Sequence, residues 1–342
     1  MSTADADGSP KRRRENPLES GLPPEFTKLR YHGKHTKAIS CLKCAPTSRE
    51  GSLALVATGS SDNTIKLWDV TSSSGSSPST FKGHASGIND LDWSSDSRYV
   101  ASASDDKNIR IWDAPTGMPL VELRGHTSFV FAVAFNASAN LLVSGGFDEN
   151  VKLWDPRTGN CVSTIPAHSE PITGVSFNRD GTCIVSSSFD GLVRIWDTAT
   201  SSCLRTFYAE GNPPVSSVSF SPNGKFVLAG TLDDKLRLWN VSNVNGEGGV
   251  AKTYVGRHNT KFCCGSAFSV SNPDRQRILA GSEDGSVYIW SINSRNLTQV
   301  LKDAHSDIVL AVDASKEREF IATGGSEKDK TVKFWTPTKA DN

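Results

Sequence analysis

The chain has 342 residues, enough for one large domain or two ordinary ones, and its 37 Lys and Arg balance 37 Asp and Glu. That zero formal charge argues against nucleic-acid binding by bulk basic charge, because no overall excess exists to displace counterions. No apolar run approaches the roughly 20 residues of a membrane-spanning helix, and 28 Gly with 16 Pro points to many turns between short strands.

Residues 1–24 are polar, Pro-rich and charged, with no apolar stretch of the secretory kind, and are expected to form a disordered basic tail. Within them Lys11, Arg12, Arg13 and Arg14 follow Ser9-Pro10. A short basic run of this type serves as a nuclear localisation signal; the plain alternative is a solvated charge cluster. Seven cysteines, an odd number without framework spacing, suit a reducing compartment. The expectation is a soluble intracellular protein located in the nucleus.

From residue 25 onward the chain repeats. Seven times an Asp is followed six residues later by a Trp: Asp62/Trp68, Asp106/Trp112, Asp148/Trp154, Asp190/Trp196, Asp233/Trp239, Asp284/Trp290 and Asp329/Trp335. This pattern takes up seven of the eight tryptophans and leaves Trp93. Upstream of most pairs stands a histidine: His35, His84, His126, His168, His258 and His305. Short apolar runs such as VFAVAF and LLVSGG lie between turn signals such as SPNG (221–224) and NRDG (178–181), so each unit reads as four antiparallel strands. Recurring seven times, the GH…WD pattern resembles the WD-repeat family over about residues 25–337, leaving a short tail at 338–342.

The resemblance implies an all-β fold, a seven-bladed propeller. A lone four-stranded sheet buries neither face, and seven stacked about an axis close a ring. The recurring His, Asp and Trp (His84, Asp106, Trp112; His126, Asp148, Trp154; His168, Asp190, Trp196) read as a buried hydrogen-bond network with a Ser or Thr. A catalytic dyad occurs once per protein, whereas this pair recurs in nearly every unit. The fifth unit carries Asn212-Pro213-Pro214 where the His is due, so its network is expected to be incomplete. EFTKLRY (25–31) has the length and alternation to supply the fourth strand of the last blade, which would leave no open edge.

Several smaller features have bland readings. Cys41-Leu-Lys-Cys44 has the spacing of half a zinc site, but no second pair follows, so a packed strand is expected; Cys263-Cys264 reads the same way. Residues 72–80 (SSSGSSPST), 243–249 and 271–277 read as loops. Trp154-Asp155-Pro156-Arg157 spells the WDxR by which some WD-repeat proteins dock onto cullin-type ubiquitin ligases, and it occurs in one unit of seven. No nucleophile elbow, phosphate loop or metal constellation is present, so neither an enzyme nor a cofactor is expected.

Around one mouth of the ring, Ser61, Asp105, Phe147, Phe189, Leu232, Glu283 and Lys328 precede or occupy the turns. Ser40, Asn89, Phe131, Thr173, Ser216 and Phe262 are expected to start the inner strands. Aromatic rings beside the Asp105 carboxylate suit a guanidinium, with cation–π attraction of about 0.5–2 kcal/mol per ring. For Phe147, filling the throat of the channel is the plain alternative.

Longer stretches, among them GINDLDWSSDSRYVASASDDKNIRIWD (87–113), HTSFVFAVAFN (126–136) and NPPVSSVSFSPNGKFVLAGTLDDKLRLW (212–239), narrow the resemblance. They are similar to the WD-repeat adaptor subunit of COMPASS- and MLL-type complexes, which methylate histone H3 on lysine. The resemblance implies a non-catalytic scaffold, monomeric within a hetero-complex, with no direct nucleic-acid or membrane contact. Its implied partners are a SET-domain methyltransferase subunit, other COMPASS-type subunits and the histone H3 tail.

Carried onto this chain, the implied arginine pocket is Ser40, Ser61, Gly87, Asn89, Asp105, Phe131, Pro171, Thr173, Phe189, Ser216, Phe262, Cys263 and Leu310. The implied groove on the opposite face, for a second subunit, is Asn223, Phe226, Leu238, Phe268, Val270 and Asn293. The family pocket holds a guanidinium between two rings; Phe131 matches the first, whereas Gly265 stands at the second, and Asn89 replaces a small hydroxyl residue. The missing ring is worth of order 1 kcal/mol. The competing readings are a cullin-ligase substrate receptor and a generic, for example spliceosomal, WD-repeat scaffold.

Overall fold

The computed structural model describes residues 26–33, 35–46, 54–71, 78–242, 249–271 and 276–338. The basic run Lys11–Arg14, the rest of residues 1–24, all of the expected tail 338–342 but its first residue, and the centres of the three expected loops lie outside the described residues.

Among the described residues, twenty-eight strands form seven four-stranded antiparallel sheets, each a blade with its first strand innermost. The inner strands are Ile39–Cys44, Ile88–Trp93, Val130–Phe135, Ile172–Phe177, Val215–Phe220, Ser266–Ser269 and Val309–Ala314, in blades 1 to 7. Blade 7 is completed from the other end of the chain. Phe26–His32 pairs antiparallel with Val332–Pro337, covering that strand's edge and joining the two ends of the propeller in one blade.

Each hairpin at the Asp–Trp motif turns on the residue after the Asp. Asn63, Lys107, Glu149, Asp234 and Lys330 take φ between 57° and 71° there, and Gly191 and Gly285 take 81° and 79°. A left-handed residue at this point lets the twist of the turn match the twist of the strands it joins.

The core lies between blades, not within them. Ile39, Val56 and Trp68 of blade 1 pack with Ala322, Val332 and Phe334 of blade 7, and Ile65 and Phe81 of blade 1 pack with Leu91 and Trp112 of blade 2. The largest fully buried side chains are the tryptophans Trp112, Trp154, Trp239 and Trp290.

The repeated polar residues form the expected network in five blades. In blade 2, His84 Nδ1 meets Asp106 at 2.7 Å, His84 Nε2 meets Ser102 Oγ at 2.7 Å, and Trp112 Nε1 donates to the same Oγ at 2.8 Å. Blades 1, 3, 4 and 7 repeat it with His35–Thr58–Trp68, His126–Ser144–Trp154, His168–Ser186–Trp196 and His305–Thr323–Trp335.

Blades 5 and 6 depart from it for a shared reason. The hydroxyl residue ten positions before the Trp in blades 1 to 4 is Ala229 in blade 5 and Ala280 in blade 6. Without that acceptor, Trp239 Nε1 is buried with no partner, and Trp290 Nε1 donates instead to Val255 O at 3.0 Å. In blade 5 the expected gap is filled by Arg237, which pairs with Asp233 at 2.6 and 2.8 Å and donates to Thr231.

In blade 6 the reading of His258 as the repeat histidine is corrected. Its side chain is 57% exposed and meets Asp234, not Asp284. The residue in the histidine slot is Arg257, 3% exposed, with its guanidinium on Gly281 O at 3.2 Å.

These networks make stability fall with acid. Burial alone would raise the turn carboxyls, but hydrogen bonds from hydroxyl, backbone N–H and imidazole groups outweigh it. Asp62 and Asp106 are held at about 2, and Asp148, Asp190 and Asp329 below the ordinary range. Burial also lowers His35 and His305, against the pull of their Asp partners.

A depressed carboxyl contributes stability above its unfolded value near 4, and that contribution is lost as pH falls towards 2. A histidine kept neutral favours unfolding once the unfolded chain takes up protons below about 6.5. The urea midpoint is therefore expected to decline from pH 7 to 5 and to collapse between about pH 4 and 2. A midpoint flat down to pH 3 would contradict this account.

Candidate functional site

The inner strands enclose a central channel of about 430 Å³. Ser40, Asn89, Phe131, Thr173, Phe189, Ser216, Cys263 and Leu310 of the implied pocket line it together. Ser61, Gly87, Asp105, Pro171 and Phe262 are not among its lining residues, and the first four stand on the rim above it. A Cβ on Gly87 would touch Asp105 Oδ2 at 3.4 Å and Ser61 Cα at 3.3 Å, and Phe189 N donates to Pro171 O at 3.1 Å. Phe262 precedes the inner strand of blade 6, which starts only at Ser266, and so does not open a strand as expected.

Several pocket side chains also join the blades. Asn89 Nδ2 donates to Val130 O of blade 3 at 2.9 Å and Thr173 Oγ1 to Val215 O of blade 5 at 2.8 Å, while Ser40 Oγ donates to Ile88 O of blade 2. Asn89 is bifunctional, since its amide also donates to Asp105 Oδ1 at 2.7 Å. That bond ties the Asp105 carboxylate to the inner strand of blade 2. The replacement of a small hydroxyl residue by Asn89 thus adds a support for the carboxylate.

Beside it, Phe129, Phe131 and Phe147 form a triad with ring centroids 6.2 to 6.5 Å apart, two of the contacts edge-on. Phe129 is 42% and Phe147 51% exposed, so this aromatic surface faces outward and Phe147 does not plug the throat.

Deeper in the channel lies a charged group without a motif in the sequence. Lys43 of blade 1 stands among Asp90 and Asp92 of blade 2 and Asp313 of blade 7. Burial opposes its charge, but the three carboxylates together hold its pKa above the ordinary value. Burial pushes Asp90 up to about 6, with Lys43 and the N–H groups of Val133 and Leu91 pulling the other way. The carboxylates are themselves blade-to-blade fasteners: Asp90 and Asp92 accept from Val133 N and Phe135 N of blade 3 at 3.0 and 2.8 Å, and Asp313 from Cys44 N of blade 1 at 2.8 Å. Cys41 and Cys44 are buried free thiols on that strand, and among the described residues no cluster suited to a metal ion occurs.

On the opposite face, Asn223 and Asn293 are exposed, and Phe268 and Val270 are half-buried. Phe226 and Phe268 pack onto a core cluster that contains Leu238. Leu238 itself is 2% exposed and lies beneath that surface, so it supports a groove and does not line one.

The model of the WDR5 beta-propeller domain matches residues 31–336. The chain belongs to that family. As a WDR5-type beta-propeller it is a WD-repeat scaffold, a class of generally non-catalytic proteins, and its His–Asp pairs are structural in five blades.

More distant curated relatives align over about 90 to 100 residues. They include the nuclear distribution protein nudF of Aspergillus niger (40% identical over 89 residues, 26% of this chain and 19% of nudF). Echinoderm microtubule-associated protein-like 4 of Xenopus tropicalis is 45% identical over 93 residues, 26% of this chain and 10% of that protein. Protein transport protein sec13 of Emericella nidulans is 31% identical over 100 residues, 25% of this chain and 32% of its own. The chain thus covers less than a third of these relatives' lengths. About two repeats are shared, which is a likeness of blades.

What motif reading missed in this WDR5-type beta-propeller is the channel quartet and Arg257. For Arg257 a signal was present: glycine precedes the histidine in Gly83-His84 and Gly125-His126, and Gly256 precedes Arg257.

Proposed function

We propose that this protein is an adaptor that takes an arginine side chain of a partner peptide at the mouth bearing Asp105 and Phe131. On the opposite face it holds a second subunit against Phe226 and Phe268. In this reading it organises a histone H3 lysine methyltransferase complex of the COMPASS type in the nucleus, and its ligands are segments of the SET-domain subunit and the histone H3 tail.

The observation that carries the proposal is the pairing of chemistries at the mouth. A carboxylate fixed by Asn89 stands beside an outward-facing aromatic triad, and a guanidinium satisfies both at once, by charge-assisted hydrogen bonds and by lying over a ring. The short alignments with nudF and sec13 cover two repeats and do not extend around the mouth. Arg157, the arginine of WDxR, is 83% exposed and lies 3.7 Å from its neighbour Asp155, an arrangement equally suited to a plain surface residue, and the motif occurs in one blade of seven.

Titration calorimetry of the chain with arginine peptides from the SET-domain subunit and the H3 tail, beside Arg→Ala peptides, tests the proposal. Binding in the micromolar range is expected, lost with the arginine and weakened at least tenfold by Asp105→Ala. Equal binding of the Arg→Ala peptides would overturn it.

A further inference from the structure

The ionisable groups along the central channel are Lys43 of blade 1, Asp90 and Asp92 of blade 2, and the thiols of Cys41 and Cys263. Asp313 of blade 7 also acts on Lys43, and Lys316 of blade 7 on Asp92. The inner strand of blade 3, VFAVAF, sets no charge against Asp90. Two carboxylates thus share the channel wall with a single cation, and Asp313 adds to the surplus. A carboxyl without a full countercharge in a buried place is driven towards its neutral form, and both Asp90 and Asp92 are raised.

Asp90 directly follows Asn89 of the arginine pocket and lines the same channel of about 430 Å³ as Asn89 and Phe131. Asn89 Nδ2 donates to Val130 O at 2.9 Å, and Asp90 Oδ2 accepts from Val133 N at 3.0 Å, so these two bonds bracket Phe131 on the inner strand of blade 3. Asp90 Oδ1 accepts from Leu91 N at 2.9 Å. A protonated carboxyl still offers its carbonyl oxygen to Val133 N, so both forms can hold blade 2 to blade 3. Titration of Asp90 therefore changes the charge of the channel without unlocking the ring. A guanidinium entering from the mouth brings the countercharge that the channel lacks, and a nearby cation favours the ionised carboxyl.

We propose that Asp90 is a proton-exchanging carboxylate of the channel, which gives up its proton to solvent when an arginine side chain enters and so makes peptide affinity rise with pH. The inference rests on the arginine-peptide reading and adds the regulation of that site by pH. Asp90 titrates at about 6 in the free chain, which sets the window. Well above it Asp90 is already ionised and no proton leaves. Below it the arginine must displace the proton, and binding weakens.

The test is calorimetry of the full chain in buffers of different ionisation enthalpy. The probe is a SET-domain-subunit arginine peptide with blocked termini and no Asp, Glu or His, beside its Arg→Ala control. For a tenfold fall in the proton affinity of Asp90 on binding, about 0.4 proton leaves at about pH 6, and binding is about fivefold weaker at pH 5 than at pH 7.5. Asp90→Asn keeps an acceptor for Val133 N and has no proton to exchange. It is expected to bind about tenfold more weakly than the wild type at pH 7.5, with no proton release and an affinity flat down to pH 5. His258→Gln, at the exposed histidine of the rim, is expected to keep the release.

Arginine-dependent binding without proton release at pH 6 would overturn the inference and leave the arginine reading standing. Release that persists in Asp90→Asn would overturn it as well. Absence of arginine-dependent binding by the wild-type chain would overturn both. Should Asp90→Asn fail to fold, carbon-13 NMR titration of the wild-type Asp90 carboxyl decides: its midpoint is expected to fall when the peptide binds, and an unmoved midpoint would overturn the inference.

Discussion

Replacing Ser144 by Ala is expected to destabilise the propeller by about 2–4 kcal/mol, although the change removes a single oxygen atom. Ser144 Oγ is the shared partner of His126 Nε2 at 2.7 Å and Trp154 Nε1 at 2.8 Å, and all three groups are buried. The alanine fits, so no packing is lost. What is lost is the acceptor of the indole and the partner of an imidazole already fixed by Asp148. Each buried group left unpaired costs roughly 1–3 kcal/mol. The expected signature is a lower urea midpoint with an unchanged slope, since the surface exposed on unfolding stays the same.

The chain contains its own reverse experiment in blade 5. Ala229 stands where Ser144 stands in blade 3, and Trp239 Nε1 is there without a partner. Ala229→Ser is expected to stabilise by about 1 kcal/mol. A Ser144→Ala loss below about 0.5 kcal/mol would show that the repeat network is not a major source of stability.

The same network explains what could be read before the structure was known. Trp154, Asp148 and His126 belong to a set of bonded partners that recurs in five blades, so the repeat spacing exposed them and with them the seven-bladed fold and its closing strand. Residues chosen for shape left no such trace. The resemblance implied Leu238 as a groove residue, yet it stands in a strand whose residues Leu236 to Trp239 are all buried, so it lies beneath the surface.

The channel quartet was hidden for another reason. Lys43, Asp92 and Asp313 each stand fifth in the inner strands of three different blades, with Asp90 third in its own, but their residue types differ from blade to blade, and they come together only when the ring closes. At the mouth, chemistry was legible only as residue type, a carboxylate at Asp105 and a ring at Phe131. It was illegible where the role depends on geometry: Asp105 and Glu283 precede equivalent turns, and only the structure shows one carboxylate accepting from a side-chain amide and the other gripping the backbone of a loop. His258 misled because a histidine adjacent to the correct slot satisfied the pattern, while the slot itself holds Arg257.

Phe26→Ala is expected to cost about 3–5 kcal/mol and to act on ring closure. Phe26 is 3% exposed at the start of the strand that completes blade 7, and it is held from three sides. Its ring packs with Leu279, Leu301 and Trp335 at the seam between blades 6 and 7, and the guanidinium of Arg277 lies 5.1 Å above it. Its backbone is clamped by Gln299, whose Oε1 accepts from Phe26 N at 2.9 Å and whose Nε2 donates to Phe26 O at 3.0 Å.

The strand beyond it, as far as His32, pairs only with Val332–Pro337, through a register shift between Lys28 and Arg30. Losing the ring therefore releases the end that fixes the register, and the edge of Val332–Pro337 becomes available to open. Hydrogen exchange should quicken first in the Val332–Pro337 amides, well before those of blade 3. Leu120→Ala, a truncation on the outer strand of blade 2 at a residue 52% exposed, should change the midpoint by less than about 0.5 kcal/mol. Should Phe26→Ala lower stability with equal loss of protection in all seven blades, the closing strand would not be an independent element. The ring would then open as one unit wherever it is cut.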